Sequence, residues 1–140
     1  MIRLLLFFLV FANGLLSEQP AYQFAGKHFI ASYLSCKQEA ISNVEELLKA
    51  MNRAVEASGA TVLKATAHVF PPNGLTAVCL LSESHASIHT YPEYGACFVD
   101  LFTCGDHCSS AKFHEILQSY LEPEEMEIKT FSRHKSLEEI

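Results

Sequence analysis

Apolar and polar residues alternate along the chain in a pattern that predicts a short strand, a helix, a run of strands, a second helix and a closing strand. His28-Phe29-Ile30-Ala31-Ser32-Tyr33-Leu34 carries the aromatic and branched residues of a strand, and Ser35-Cys36-Lys37-Gln38 leads away from it as a loop. Beyond it Val44, Leu47, Leu48, Met51, Ala54 and Val55 recur at helical spacing, behind a capping box at Ser42-Asn43-Val44-Glu45 and ahead of Gly59 as a stop. A helix with one apolar face needs a flat partner. Four runs of strand length supply it: Ala60–Phe70, Leu75–Leu81, Ala86–Tyr91 and Ala96–Cys104. Pro71-Pro72-Asn73-Gly74 and Pro92-Glu93-Tyr94-Gly95 are turn sequences, and turns this short join antiparallel neighbours. A second helix starts at the Ser109-Ser110 cap and shows Phe113, Ile116, Leu117, Tyr120 and Leu121, after which Met126–Phe131 alternates as a last strand. The pattern predicts an α+β fold, a two-layer αβ sandwich with helices on one face of a largely antiparallel sheet.

Composition narrows the reading. A chain of 140 residues fits one domain. Ten Lys and Arg against 16 Asp and Glu give a net charge of -6, which leaves no basic face for a phosphate backbone, so nucleic acid is not an expected partner. Hydrophobic residues at 49% with 19% charged argue for a folded chain. Residues 1–25 read as an apolar N-terminal leader or extension, and the domain as 26–140. Met1-Ile2-Arg3 followed by Leu4 through Ala12 has the shape of a signal peptide but is too short to span a bilayer, so no membrane partner is expected. Cys36, Cys79, Cys97, Cys104 and Cys108 are an odd number without the spacing of a disulfide framework, which favours reduced thiols in the cytoplasm. The alternative is export, with residues 1–14 as signal peptide and the remainder a non-catalytic binding module whose cysteines pair.

The most polar cluster, Ser82 through Glu93, lies inside the most strand-like region. Period-2 alternation puts His85, Ser87 and His89 on one face and Ala86, Ile88 and Thr90 on the other. The residues alone leave several readings open. One is a half-exposed strand with a solvated polar face. Another is a nitrogen and sulfur metal site drawn from His85, His89, Cys104, His107 and Cys108, as in a zinc-dependent hydrolase using His85, His89 and Cys104, although Cys-x2-His-Cys matches no common zinc knuckle.

A third reading comes from likeness. Ser82-Glu83-Ser84-His85-Ala86-Ser87-Ile88-His89-Thr90-Tyr91-Pro92-Glu93-Tyr94-Gly95, followed by Val99-Asp100-Leu101-Phe102-Thr103-Cys104-Gly105, resembles the signature of the prokaryotic S-adenosylmethionine decarboxylase proenzymes. The likeness extends to Gly26-Lys27-His28-Phe29, Ser58-Gly59-Ala60-Thr61 and Pro72-Asn73-Gly74. It implies a self-processing enzyme cut between Glu83 and Ser84 into a β chain ending at Glu83 and an α chain beginning at Ser84. The Ser84 hydroxyl attacks the Glu83 carbonyl, and elimination then converts Ser84 into a covalent pyruvoyl group. The same resemblance implies His89 as proton acceptor in processing, Thr76 as its supporting hydroxyl, and Cys104 as proton donor in catalysis. It also implies that Phe70 stacks on the adenine and Glu93 grips the ribose of S-adenosylmethionine, whose α-amine forms a Schiff base with the pyruvoyl ketone. The product donates aminopropyl groups in spermidine synthesis, and the processed protomer pairs as a homodimer with sites near the interface; no site residue is expected to hold a metal.

Overall fold

A computed structural model describes residues 25–104 and 106–134 of the chain. The leader expected at the N-terminus lies outside the described residues up to residue 24, as do residues 135–140 at the other end. In chain order the elements are β1 (Ala25–Leu34), α1 (Gln38–Ser42), α2 (Val44–Ala57), β2 (Val62–Phe70), β3 (Gly74–Leu81), β4 (Ser84–Tyr91), a 3-10 turn (Pro92–Tyr94), β5 (Ala96–Thr103), α3 (Ser110–Leu121) and β6 (Glu125–His134). The α+β expectation holds: six strands form one sheet in the order β2-β3-β4-β5-β1-β6, every neighbouring pair antiparallel.

The connections follow from that order. Strands β2 to β5 form a meander through tight turns. Gly95 closes the 3-10 turn at φ 58, a left-handed conformation that glycine adopts without penalty, and its N–H donates to the Pro92 carbonyl at 3.0 Å. β1 inserts between β5 and β6. Because β5 and β6 both run antiparallel to β1 they are parallel to each other, and a parallel pair needs a crossover, which α3 provides. By the same count β1 and β2 are parallel, and α1 with α2 carries the chain across the sheet.

Both crossovers lie on one face, so the core is the single layer between the helices and the sheet. Tyr33, Leu75, Ile88, Leu101 and Cys97 from the strands meet Ile41, Leu47, Met51, Val55, Phe113, Leu117 and Leu121 from the helices, all buried. Phe29 and Phe113 meet edge to face at 5.9 Å. Ala86, Ile88 and Thr90 of β4 point into this layer, as the alternation predicts.

Two local expectations change. Gln38–Ser42 winds into its own short helix, so Ser42 is helical and the cap of α2 passes to Asn43, whose side chain accepts the Glu46 N–H at 3.2 Å. The second strand begins at Val62 and not Ala60. All five cysteines are free. No helix among the described residues is long and apolar enough to cross a membrane.

The second face of the sheet carries no helix. Phe70, Val78, Leu80, Tyr91, Phe98 and Phe131 stand exposed, each on a strand position whose neighbours along the chain turn the other way. Between them lie His28, Thr76, His85, Ser87, His89 and Asp100. This open face holds the polar chemistry of the molecule.

Candidate active site

At the start of β4 the chain is pinned on both sides of one peptide bond. Ser82 N–H donates to the Thr61 carbonyl at 2.9 Å, and the Glu83 carboxylate accepts the Thr61 N–H at 2.8 Å. On the other side the Glu83 carbonyl accepts the Cys104 N–H at 3.0 Å. With Ser82 and Glu83 held by these three hydrogen bonds, the misfit falls on the next residue: Ser84 has φ 152, which only glycine adopts readily. A residue held there costs on the order of 1–3 kcal/mol. The strain therefore sits on the Glu83–Ser84 peptide.

The groups around that bond are suited to attack on it. The carbonyl oxygen of Glu83 already faces a backbone N–H, which strengthens its hold as negative charge develops on that oxygen in a tetrahedral intermediate. Ser84 Oγ lies 3.2 Å from His85 Nδ1. Cys104, just past the end of β5, is the one half-buried cysteine; the other four are buried. Burial and the nearby Glu83 carboxylate raise the Cys108 thiol above its ordinary range, so it stays protonated beneath the site. His107 Nε2 approaches the other Glu83 oxygen at 3.6 Å.

The remaining expected residues gather elsewhere. Thr76 and His89 are directly paired across β3 and β4, and the Thr76 hydroxyl is hydrogen-bonded to His89 Nδ1. Phe70 packs its edge toward the His89 ring at 6.3 Å, and Tyr91 does the same at 4.7 Å. Phe70, His89, Tyr91 and Glu93, with Pro71, Gly74 and Thr90, line an open cavity of about 280 Å³. Aromatic walls with one carboxylate at the rim can take a flat ring and a pair of hydroxyls. This cluster is at the far end of β4. Five residues of strand separate His89 from Ser84, about 17 Å at 3.4 Å per residue.

The two clusters therefore do not meet within one chain. Nor does the zinc arrangement of His85, His89 and Cys104 form: four residues of extended strand keep the two imidazoles about 14 Å apart along β4. What does converge on His85 is a pair the sequence left without a role. Asp100 on β5 lies between His85 on β4 and His28 on β1, and one ligand atom from each of the three lies within 4.8 Å of the others. A carboxylate inside the apolar run Val99-Asp100-Leu101 was the available signal, and the partner strands were not.

Residues 27–134 match the family model for S-adenosylmethionine decarboxylase. The chain belongs to that family. It is 40% identical over 110 residues to an S-adenosylmethionine decarboxylase proenzyme of Thermosipho melanesiensis, an alignment covering 79% of this chain and 85% of the relative. It is 39% identical over 108 residues to a proenzyme of the same name from Methanococcus maripaludis, covering 77% and 88%. The crystal structure of the adenosylmethionine decarboxylase from Aquifex aeolicus superposes with a TM-score of 0.75 at 30% identity, covering 83% of this chain and 96% of that one. The word proenzyme in these S-adenosylmethionine decarboxylase names agrees with a chain that carries a strained, pinned peptide bond.

Proposed function

We propose that this chain is a self-processing S-adenosylmethionine decarboxylase of polyamine biosynthesis whose active site is shared between two copies of the chain. The observation that carries the proposal is the strained Glu83–Ser84 bond, with its carbonyl already aimed at the Cys104 N–H. The Ser84 hydroxyl attacks the Glu83 carbonyl carbon, the C–N bond breaks, and an ester joins the two residues while the Ser84 amine goes free. Strain is relieved in the same step, because the φ of Ser84 is no longer constrained by a peptide on its N-terminal side. A base next removes the Ser84 α-hydrogen and the Glu83 carboxylate leaves from Cβ. Tautomerisation and hydrolysis with loss of ammonia give a pyruvoyl group, whose ketone supplies the electron sink for decarboxylation.

The base assigned by likeness is His89, held by Thr76, and it lies about 17 Å from the Ser84 of its own chain. A second copy closes the gap. Two sheets laid open face to open face about a two-fold axis near Ala86 and Ser87, the midpoint of β4, bring the Ser84 end of each chain to the His89 end of the other. Such packing also covers the exposed Val78, Leu80, Tyr91 and Phe98. In the composite site one chain supplies Ser84 and Cys104. The other supplies His89, Thr76, Phe70 and Glu93, whose cavity takes the nucleoside part of the substrate. The Cys104 thiol then stands beside the former Ser84, where it can return a proton to the substrate carbon after carbon dioxide leaves.

Mass spectrometry of the purified protein tests the processing step. Two chains are expected, ending at Glu83 and beginning at the former Ser84, with 140−83 = 57 residues in the smaller. The smaller chain should be lighter than its seryl form by one ammonia. Ser84→Ala should fold, remain whole and decarboxylate nothing. A wild-type chain that stays whole on long incubation, or a Ser84→Ala chain with parental activity, overturns the proposal.

A further inference from the structure

We infer that His28, His85 and Asp100 form a binding site for a divalent transition metal of the zinc type at the centre of the open sheet face. Asp100 Oδ1 lies 3.7 Å from His28 Nε2 and 3.6 Å from His85 Nε2. Both separations are longer than a hydrogen bond, yet both imidazoles turn the same nitrogen toward the same oxygen. They match the edge of a coordination tetrahedron: bonds of about 2.1 Å to nitrogen and oxygen place neighbouring ligand atoms about 3.4 Å apart. His28 Nε2 is closed off from solvent and has no hydrogen-bond partner. A buried ring nitrogen without a partner is rare in a folded protein, and a metal satisfies it.

The surroundings hold the three ligands in place. The Ser87 hydroxyl donates to Asp100 Oδ2, leaving Oδ1 free to face the two imidazoles. Phe102 sits against both rings, 5.5 Å from His28 and 5.8 Å from His85 between centroids. Phe102 in turn lies across Gly26, where any Cβ would collide with its ring, and Arg133 covers it at 4.4 Å. The ligands come from β1, β4 and β5, neighbours in the central sheet, so their spacing is set by strand pairing and not by loops. Two imidazoles and one carboxylate favour zinc, cobalt or ferrous iron over magnesium, which prefers an all-oxygen shell. Metal on His85 Nε2 leaves the ring proton on Nδ1, directed at Ser84 Oγ 3.2 Å away. The ion therefore fixes the direction of the hydrogen bond at the start of β4.

Metal binding can be measured apart from the processing reaction. Full-length protein is stripped with a chelator, then titrated with Zn2+ by calorimetry and with Co2+ by visible absorption. The expected result is one equivalent per chain, with the intense d–d bands of a tetrahedral ion and no near-ultraviolet thiolate charge-transfer band. Mg2+ in excess should not displace it. Ser87→Ala should weaken binding about 10-fold to 100-fold, the usual effect of losing a group that orients a ligand. His28→Ala and Asp100→Asn, both on the open face where the fold does not depend on them, should abolish the equivalent. They should also abolish the rise in thermal midpoint that Zn2+ gives the parent. No saturable binding to the parent, binding undiminished in the two ligand variants, or a cobalt spectrum dominated by thiolate would each overturn the assignment.

Discussion

The proposed sharing of the active site makes a quantitative prediction about mixed dimers. Ser84→Ala removes the proposed nucleophile and pyruvoyl precursor, and His89→Ala removes the proposed base. Each should be inactive alone, whichever way the site is built. The two geometries separate when the variants are combined. If a site took both residues from one chain, every site in a mixed dimer would lack one of them and activity would be zero. In the proposed arrangement, with Ser84 and His89 about 17 Å apart on their own strand, the functional pairs instead cross the axis. One site of the mixed dimer then joins intact Ser84 of the His89→Ala chain to intact His89 of the Ser84→Ala chain, and its sister carries both lesions. Random pairing at equal amounts yields mixed dimers as about half of the population, with one of two sites intact, so about one quarter of wild-type decarboxylation should return in the unfractionated protein and about one half in the purified mixed dimer. The assay is co-expression from two tagged genes, tandem purification of the mixed dimer, measurement of released carbon dioxide, and a mass check that only the His89→Ala chain has been cut. A mixed dimer as dead as its parents, with neither chain cut, would refute the crossed geometry.

Three further outcomes follow from single residues. Cys104→Ala should still be cut, because its N–H and not its thiol faces the Glu83 carbonyl; decarboxylation should fall by about 10²–10⁴, measured at saturating substrate. His114 accepts the Tyr33 hydroxyl at 2.7 Å, and burial holds its pKa below the ordinary value of 6.5. The unfolded chain therefore takes up this proton first on acidification, so the contribution is complete above about pH 6.5 and is lost as pH falls from there toward the folded value; urea midpoints from pH 7.5 to 5 should drop more steeply in the parent than in His114→Gln. Leu117→Ala, at a fully buried position of α3, should cost about 2–5 kcal/mol by denaturant titration, and a cost near zero would mean that α3 does not pack on the sheet as described.

Much of the fold was legible because its signals are local. Period-2 runs and the two proline-containing turns give the meander from β2 to β5, and the 3.6-residue recurrence of Val44 to Val55 gives α2. What failed was a choice between adjacent caps: Ser42 and Asn43 are both good capping residues, and the short helix formed by Gln38–Ser42 decides between them. The candidate site reads as a contiguous string, and the same contiguity misleads. Ser84 and His89 are near in sequence, but an extended strand spends its residues on distance, so a motif of five steps spans the width of a substrate and more. The grouping of His28 with Asp100 and His85 depends on β1 lying beside β5, a pairing across some 70 residues that no local pattern encodes.

The proposed two-fold arrangement and the central histidines bear on each other through charge. Ser87 is paired with Asp100 across β4 and β5, so an axis near Ala86 and Ser87 brings the Asp100 of each chain toward its counterpart. Two carboxylates drawn together under an apolar rim of Val78, Leu80 and Phe98 repel, and burying them without compensation is costly. The Ser87 hydroxyl gives each a hydrogen bond but no positive charge. The imidazoles of His28 and His85 stand 3.7 Å and 3.6 Å from each Asp100 and serve as its fellow ligands when a metal is bound. A divalent ion held there brings the positive charge that the hydroxyl lacks. The same three side chains thus account for how a face that carries a carboxylate at its centre can close against a copy of itself, and removing the metal should weaken the dimer before it affects the fold of either chain.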